Sequence, residues 1–367
     1  MIKKLRYFLL LLSFFTSFSQ SPNLSKDAVV SVLTCGKGNE LYTVFGHTAI
    51  RIKDSINNLD VVYNYGAFDF RVENFYLKFV KGDLQYFMNA SSFEEFIYEY
   101  QQENREVIQQ NLNFSTVKKQ QLFDKLNASL FSDERNYTYK FIDRNCTTMV
   151  VEKINETVGK KIIQKVDDTS ISYRKVLYPY FQNHFWYKLG INIIFGFKTD
   201  KNATQLFLPV ELLHSLNKSK VDGETLVTET EILLNAKTSE DEFSFFNSIY
   251  FVALLLLILV LVNNKTLIFS YLFILGLLGL FFSLVGFYSF HKELLWNYNV
   301  LLFNPIYLIL PFISNLKWRK NCIIATLILL VIYVILMLYK PHLVLVVPFI
   351  LANFYILWRL QFKKKLF

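Results

Sequence analysis

A single acidic side chain, Glu293, stands in the last 125 residues of the chain, against ten Lys and Arg. The first 242 residues hold 29 of each sign. The net charge of +9 therefore belongs to no soluble basic domain, and nucleic-acid binding loses the electrostatic footprint it needs. Other absences narrow the chemistry. No Cys/His spacing suits zinc, no phosphate loop suits a nucleotide, and no G-x-S-x-G turn suits a serine hydrolase. The pattern calls for no metal and no cofactor. Internal repeats and low-complexity tracts are missing as well, and cysteines number only three.

What is abundant is apolar: 53% of residues are hydrophobic, and they are unevenly spread. Runs occur at Ile249–Val262, Leu267–Phe287, Val300–Ile313, Cys322–Tyr339 and Leu343–Trp358. With a few flanking residues each reaches across a hydrocarbon core of about 30 Å. The third is short and holds Pro305 and Pro311, which reads as a broken or re-entrant span. Five spans put eight basic residues on one side, in Asn263–Thr266, Ser314–Asn321 and Arg359–Phe367. Only Lys292 and Lys340 remain on the other, as the positive-inside rule asks. Met1–Gln20 has the basic start, apolar run and small polar end of a secretory signal peptide. The expected organisation is a signal peptide at 1–20, an exported domain at 21–242 and an all-α membrane domain of five transmembrane helices at 243–367. Orientation follows: a multi-pass inner (cytoplasmic) membrane protein, N-terminal domain in the periplasm, C-terminus in the cytoplasm.

The exported region has mixed patterning. Ala28–Thr34, Thr48–Lys53 and Asp60–Tyr65 are β-branched or aromatic runs of strand length, the last two joined by a turn at Asp54–Asn58. Phe93–Leu112 and Thr116–Phe131 carry helical periodicity. A strand at Tyr137–Ile142 precedes a helix at Thr147–Val158, with Gly159 placed as its C-terminal cap. Glu224–Ala236 reads as a strand leading to the first span. The expected class is α+β with an antiparallel sheet. Phe185–Phe197 is rich in aromatics and reads as a buried strand or helix, or as a membrane-facing lip.

Few residues in this region can carry chemistry. Cys146, in DRNCTT, falls at the expected helix start, where amide N–H groups and the helix dipole favour a thiolate. His47, in FGHTAIRI, opens a strand after a glycine and is the candidate base; His184 and His214 lie in less defined sequence. Asn64, or beyond it Asp69, is placed to orient the imidazole. Arg51 shares strand parity with His47 and suits a phosphate in the same cleft; a structural ion pair is its simpler role. Tyr65 and Asp69 join it as candidate substrate contacts. Asn145 and Thr147 flank the nucleophile, Asn145 as helix cap or oxyanion donor. In the membrane half His291, Trp296, Asn299 and Asn304 form a polar cluster at the outer surface, either a wet loop or a guide for a lipid headgroup. Cys322 is a small apolar residue in a span, while Cys35 and Cys146 face an oxidising compartment and allow a disulfide as the competing reading.

LTCGKGNELYTVFGHTAIRI (Leu33–Ile52), VYNYGAFDF (Val62–Phe70), FYLKFVKGDLQYFM (Phe75–Met88), DRNCTT (Asp143–Thr148) and Phe207-Leu208-Pro209 resemble the Lnb N-terminal periplasmic domain family. The stretch from His291 to Pro305 resembles that family's membrane part. The resemblance implies a lipoprotein N-acyltransferase. Its His-before-Cys order is also similar to the permuted papain-like acyltransferases related to lecithin:retinol acyltransferase, in which Cys carries an acyl chain as a thioester. Carried over, Cys146 is the nucleophile and His47 the base, with Asn64 assigned by papain-like analogy; Cys35 matches a family cysteine. The implied partners are a phospholipid acyl donor and a diacylglyceryl-lipoprotein acceptor. Two alternatives stay open: a membrane-tethered papain-like amidase or peptidase acting on cell wall, and a non-enzymatic membrane assembly module with a Cys35–Cys146 disulfide.

Overall fold

The computed structural model describes residues 22–237 and 243–362; the expected signal peptide and the basic tail Lys363–Lys365 lie outside them. The β-branched runs pair into a meander of β1 (Val29–Cys35), β2 (His47–Asp54) and β3 (Leu59–Ala67), all antiparallel. Asn58, in left-handed backbone, closes the expected hairpin, and the Asp54 carboxylate accepts hydrogen bonds from Ser25 and Asn57. There follow α1 (Phe75–Lys81), β4 (Gln85–Ser92), α2 (Phe93–Gln102), β5 (Val107–Leu112), α3 (Thr116–Leu130), β6 (Asn136–Thr138) and α4 (Cys146–Val158). Beyond these lie α5 (Tyr173–Leu177), α6 (Phe185–Ile194), α7 (Pro209–Lys218), a small hairpin of β7 (Lys220–Val221) and β8 (Glu224–Thr225), and β9 (Val227–Leu234).

Seven strands form one antiparallel sheet in the order β6-β4-β3-β2-β1-β5-β9. Side-chain alternation gives it two covered faces. Val30, Val32, Ile50, Ile52, Tyr63 and Tyr65 pack under α3, α4 and α7, whereas Leu33, Cys35, Ala49 and Val62 pack under α2 against Phe96 and Tyr100. One expectation is corrected. The helix begun at Phe93, capped by the Ser92–Glu95 box, stops at Gln102, and Asn104 turns the chain in left-handed backbone. Val107–Leu112 then slot between β1 and β9, partners far away in sequence that no local periodicity records.

Three helices are long and apolar enough to cross a membrane: α9 (Lys265–Tyr288), α11 (Leu316–Met337) and α12 (Leu343–Phe362). Before them lies α8 (Ile249–Val262), apolar but only 14 residues long. The third apolar run is no single helix. It is a pair of segments, Lys292–Leu301 and Ile306–Phe312, bent by 50° and including the four-residue α10 (Ile306–Ile309). Pro305 and Pro311 withhold backbone donors there. The five transmembrane helices expected from sequence therefore become three long helices, one bent pair and one short apolar helix among the described residues.

Irregular backbone at this depth needs protein around it. Gly279 of α9 supplies the closest approach, since any Cβ there would collide with the Phe303 carbonyl. Side-chain amides satisfy the rest. Asn353 donates to the Leu302 carbonyl (3.2 Å), and Asn304 accepts from the Ile306 amide (2.9 Å). Asn299 donates to Ile193 O (2.9 Å) and accepts from the Tyr333 hydroxyl (2.8 Å).

The aromatic stretch from Phe185 is a helix buried on one side against the membrane helices. Phe185 and Leu189 share a core with Val252, Leu256 and Leu272. Further bonds fix the two halves together: Gly196 N donates to Glu293 O (2.7 Å), and Asn297 to Ile193 O and Ile194 O (2.8 and 2.9 Å). Lys198 bridges Asp143 and Glu293, each at 2.9 Å. The loop that leads into Cys146 is thereby tied to the membrane half.

Candidate active site

The start of α4 is built by Asn145. Its side chain accepts from the Thr148 amide (3.0 Å) while Thr148 Oγ1 accepts from the Asn145 amide (2.8 Å), a reciprocal cap. The Asn145 amide group also donates to Phe141 O and Phe207 O (2.8 and 2.9 Å). All of its capacity serves the fold, so the expected oxyanion donation from Asn145 has no donor left. Cys146 is the first helical residue, where unpaired N–H groups concentrate positive potential. Buried Thr147 sets its hydroxyl 3.1 Å from Thr48 Oγ1 and 4.0 Å from Cys146 Sγ.

His47 opens β2 behind Gly46, whose φ of 82° turns the chain into the strand. Its Nε2 lies 3.2 Å from Asn64 Oδ1. A carbonyl oxygen only accepts, so Nε2 carries the proton and Nδ1 is the nitrogen free to take one. Burial pushes the Cys146 thiol up, but the charge of His47 and its hydrogen bond, with help from Thr48 N–H and Thr147, draw it below its ordinary 9.0. The geometry is that of a thiol with lowered pKa facing an oriented imidazole.

Cys35 sits across from His47 in the β1–β2 register but points into the core under α2, where burial pushes it up to about 12. Both cysteines are free and pack in different core clusters, so the disulfide alternative is corrected. The two thiols should differ in chemistry. Iodoacetamide at neutral pH is expected to modify Cys146 and leave Cys35 intact. In His47→Gln, the Cys146 alkylation profile should move to higher pH, because the group holding the thiolate is gone; an unmoved profile would remove His47 from the pair. Peptide mass spectrometry reads both.

Several expected contacts are elsewhere. Arg51 is buried, paired with Asp60 (2.7 Å), bonded to Gln109 (2.8 Å) and stacked on Phe93. It lies four residues beyond His47, about 13 Å along the strand, where the covering α2 takes it rather than the thiol. Tyr65 is core, edge-on to Tyr137. Asp69 is occupied in a surface loop by Arg71, whose hydrogen bonds hold the carboxyl down at about 2. Among the histidines, His214 pairs with Asp167, His184 stacks on Tyr187, and the His291 ring reaches Phe79 O (3.0 Å). Trp296 is exposed on the flank of the bundle in left-handed backbone. Asn299 and Asn304 are committed to backbone, as described above, and guide no headgroup.

Two residues escaped the sequence reading. The Tyr137 hydroxyl is buried and has no hydrogen-bond partner among the described residues. A methyl on Gly66 would touch both that hydroxyl and Cys146 Cβ at 3.8 Å, so the two flank one point. Arg144 stacks on the same ring at 5.4 Å and stays exposed. The signal was a β3 register slip between Asn64 and Ala67, with Gly66 at φ 97°, which brings the strand end against Cys146. No single-sequence pattern announces a bulge.

No curated protein and no solved structure matches the chain. Residues 18–178 match the family model of the Lnb N-terminal periplasmic domain, a span that includes His47, Asn64, Tyr137 and Cys146. The N-terminal part of the chain, over those residues, is thus similar to an Lnb N-terminal periplasmic domain.

Proposed function

We propose that the protein is an inner-membrane lipoprotein N-acyltransferase, and that its exported domain is a permuted papain-like thiol acyltransferase. The observation that carries this reading is the lowered Cys146 thiol at a helix start, facing His47 and tied through Lys198 to a membrane-embedded half. Substrates that are both lipids explain why such a site is fixed to helices of this kind. The His-before-Cys order on an antiparallel sheet supports the papain-like assignment.

In the first half-reaction His47 holds the proton of Cys146, and the thiolate attacks the carbonyl carbon of a phospholipid acyl ester. The C–S bond forms as the ester C–O bond breaks. Helix-start N–H groups and the unpartnered Tyr137 hydroxyl are donors for the oxyanion. His47 returns its proton to the glycerol oxygen, which leaves as lysophospholipid. Arg144, exposed beside the site, suits the donor's phosphate. In the second half-reaction the α-amine of a diacylglyceryl-cysteine attacks the thioester. The amide forms, the C–S bond breaks, and His47 carries the amine's proton to the thiolate. An α-amine with pKa near 8 supplies a neutral fraction at pH 7.

Five traverses are supported by charge, because Lys265, Lys317, Arg319, Lys320 and Arg359 stand at helix ends opposite those bonded through Ser289 and Lys340 to the N-terminal domain. This orientation puts the C-terminus in the cytoplasm.

The test is reconstitution in phospholipid vesicles with a diacylglyceryl-cysteinyl peptide bearing a free amine. The peptide should gain one acyl chain and lysophospholipid should appear in equal amount. Without acceptor, the acyl group should remain on Cys146 and yield to hydroxylamine. Free fatty acid as the sole product, or cleavage of cell-wall peptide in its place, overturns the reading.

A further inference from the structure

The helix α1 has seven residues, none of them buried, and a large apolar surface: Tyr76 is 75% exposed and Leu77 67%, with Phe79 and, just before the helix, Phe70 also open. A soluble domain rarely leaves such a cluster in water. Its place in the fold says what covers it. The last residues of α1 are bound to the chain leaving the outer end of the membrane helix α9. Ser289 Oγ donates to Val80 O (2.6 Å), Phe290 N donates to Lys81 O (2.7 Å), and the His291 ring packs against Gly82. The neighbouring Phe287, Tyr288 and Phe290 are exposed aromatics at the level where a span meets water. Helix α1 carries Lys78 and Lys81 and no acidic residue.

We propose that this face inserts into the outer leaflet of the membrane and guides the donor's acyl chain from the bilayer to Cys146. The claim rests on the acyltransferase reading for the identity of the chain, and on α1 alone for insertion. A rigid join to α9 fixes α1 at the interface, which is where an amphipathic segment with Lys on one side and Tyr, Leu and Phe on the other is at home. From there a file of aromatics leads inward. Tyr76 touches Phe75 (ring centroids 5.4 Å apart), Phe75 touches Phe68 (5.9 Å), and Phe68 touches Tyr86 (5.2 Å), which stacks on Tyr139 (4.4 Å). Phe68 follows Gly66 by two residues, and Gly66 borders the thiol. The file is aromatic along its length and lies in the same core as Cys146, so an ester arriving along it need not bring its chain through water.

The experiment uses the full chain in vesicles of phosphatidylethanolamine and phosphatidylglycerol, with Cys146→Ala and Cys322→Ala to leave only buried Cys35. Nitroxide labels are introduced through Tyr76→Cys, Leu77→Cys and, as a reference on the exposed β2–β3 turn, Ile56→Cys. Labels at 76 and 77 should favour collision with oxygen over a water-soluble nickel chelate by at least tenfold relative to the label at 56. Nickel accessibility at 77 equal to that at 56 overturns insertion. The guiding role is read separately with Cys146 intact. Leu77→Asp with Phe79→Ser should lower acyl transfer from vesicle lipid at least tenfold, and undiminished transfer overturns it. Depth needs no turnover, so an inactive protein with inserted labels would sink the chemistry and leave the surface standing.

Discussion

Cys146→Ala is expected to abolish acyl transfer to a diacylglyceryl-cysteinyl peptide, a loss of about 10⁴-fold or more, because nothing else at the helix start can hold the acyl chain. His47→Ala should cost about 10²–10⁴-fold, the usual worth of a positioned acid–base group. The double variant should be little worse than Cys146→Ala, since the two act as a unit. Asn64→Ala should lose less, acting only through the ring it orients at 3.2 Å. Tyr137→Phe separates chemistry from thiol reactivity. It removes one oxyanion donor and is expected to lower turnover by about 10²–10³-fold, with iodoacetamide still reacting at Cys146. Product mass and lysophospholipid release measure each variant. Full turnover in Cys146→Ala would end the thiol mechanism.

The second large effect is structural. Arg174→Met should destabilise the protein by about 3–5 kcal/mol, the cost of breaking a buried ion pair from one side. Arg174 is 1% exposed and spends its guanidinium on Asp200 (2.7 Å), the carbonyls of Asn192 and Phe195 (2.9 and 3.0 Å) and Thr199 Oγ1 (2.8 Å). Asp200 in turn accepts from Lys340 (2.6 Å), in the loop between α11 and α12. Burial pushes the Asp200 carboxyl up, yet Arg174 and Lys340 together hold it below the usual range. Without Arg174 the Asp200 carboxylate and three further oxygen acceptors lose a donor, and one anchor of the N-terminal domain on the helical half goes with them. Thermal unfolding of the purified protein in detergent is the measurement, and a melting temperature within 1–2 °C of wild type would contradict the account, given the shift per kcal/mol expected of a chain this size.

The sequence by itself determined the change from a mixed α/β part to an apolar helical part, through the run of apolar segments. It determined three strands and the hairpin of the last two, because alternation and turn chemistry are local. Cys146 at a helix start and His47 at a strand start were legible for the same reason: capping residues and a preceding glycine act within one turn. Tertiary structure decided what depends on distant partners. Strand β5 took Val107–Leu112 out of an expected helix because β1 and β9 flank it. Arg51 shares parity with His47, yet depth along the strand and the covering α2 gave it to Asp60 and Phe93. Asn304 caps the proline-broken segment by accepting from Ile306 N, and Asn299 ties that segment to the carbonyl of Ile193 in α6 and to Tyr333. The Tyr137 hydroxyl and Cys146 flank one point because the bulge sets Gly66 between them. Local pattern located Cys146 and His47; the pairing of remote strands, and the protein packed around them, chose what surrounds both.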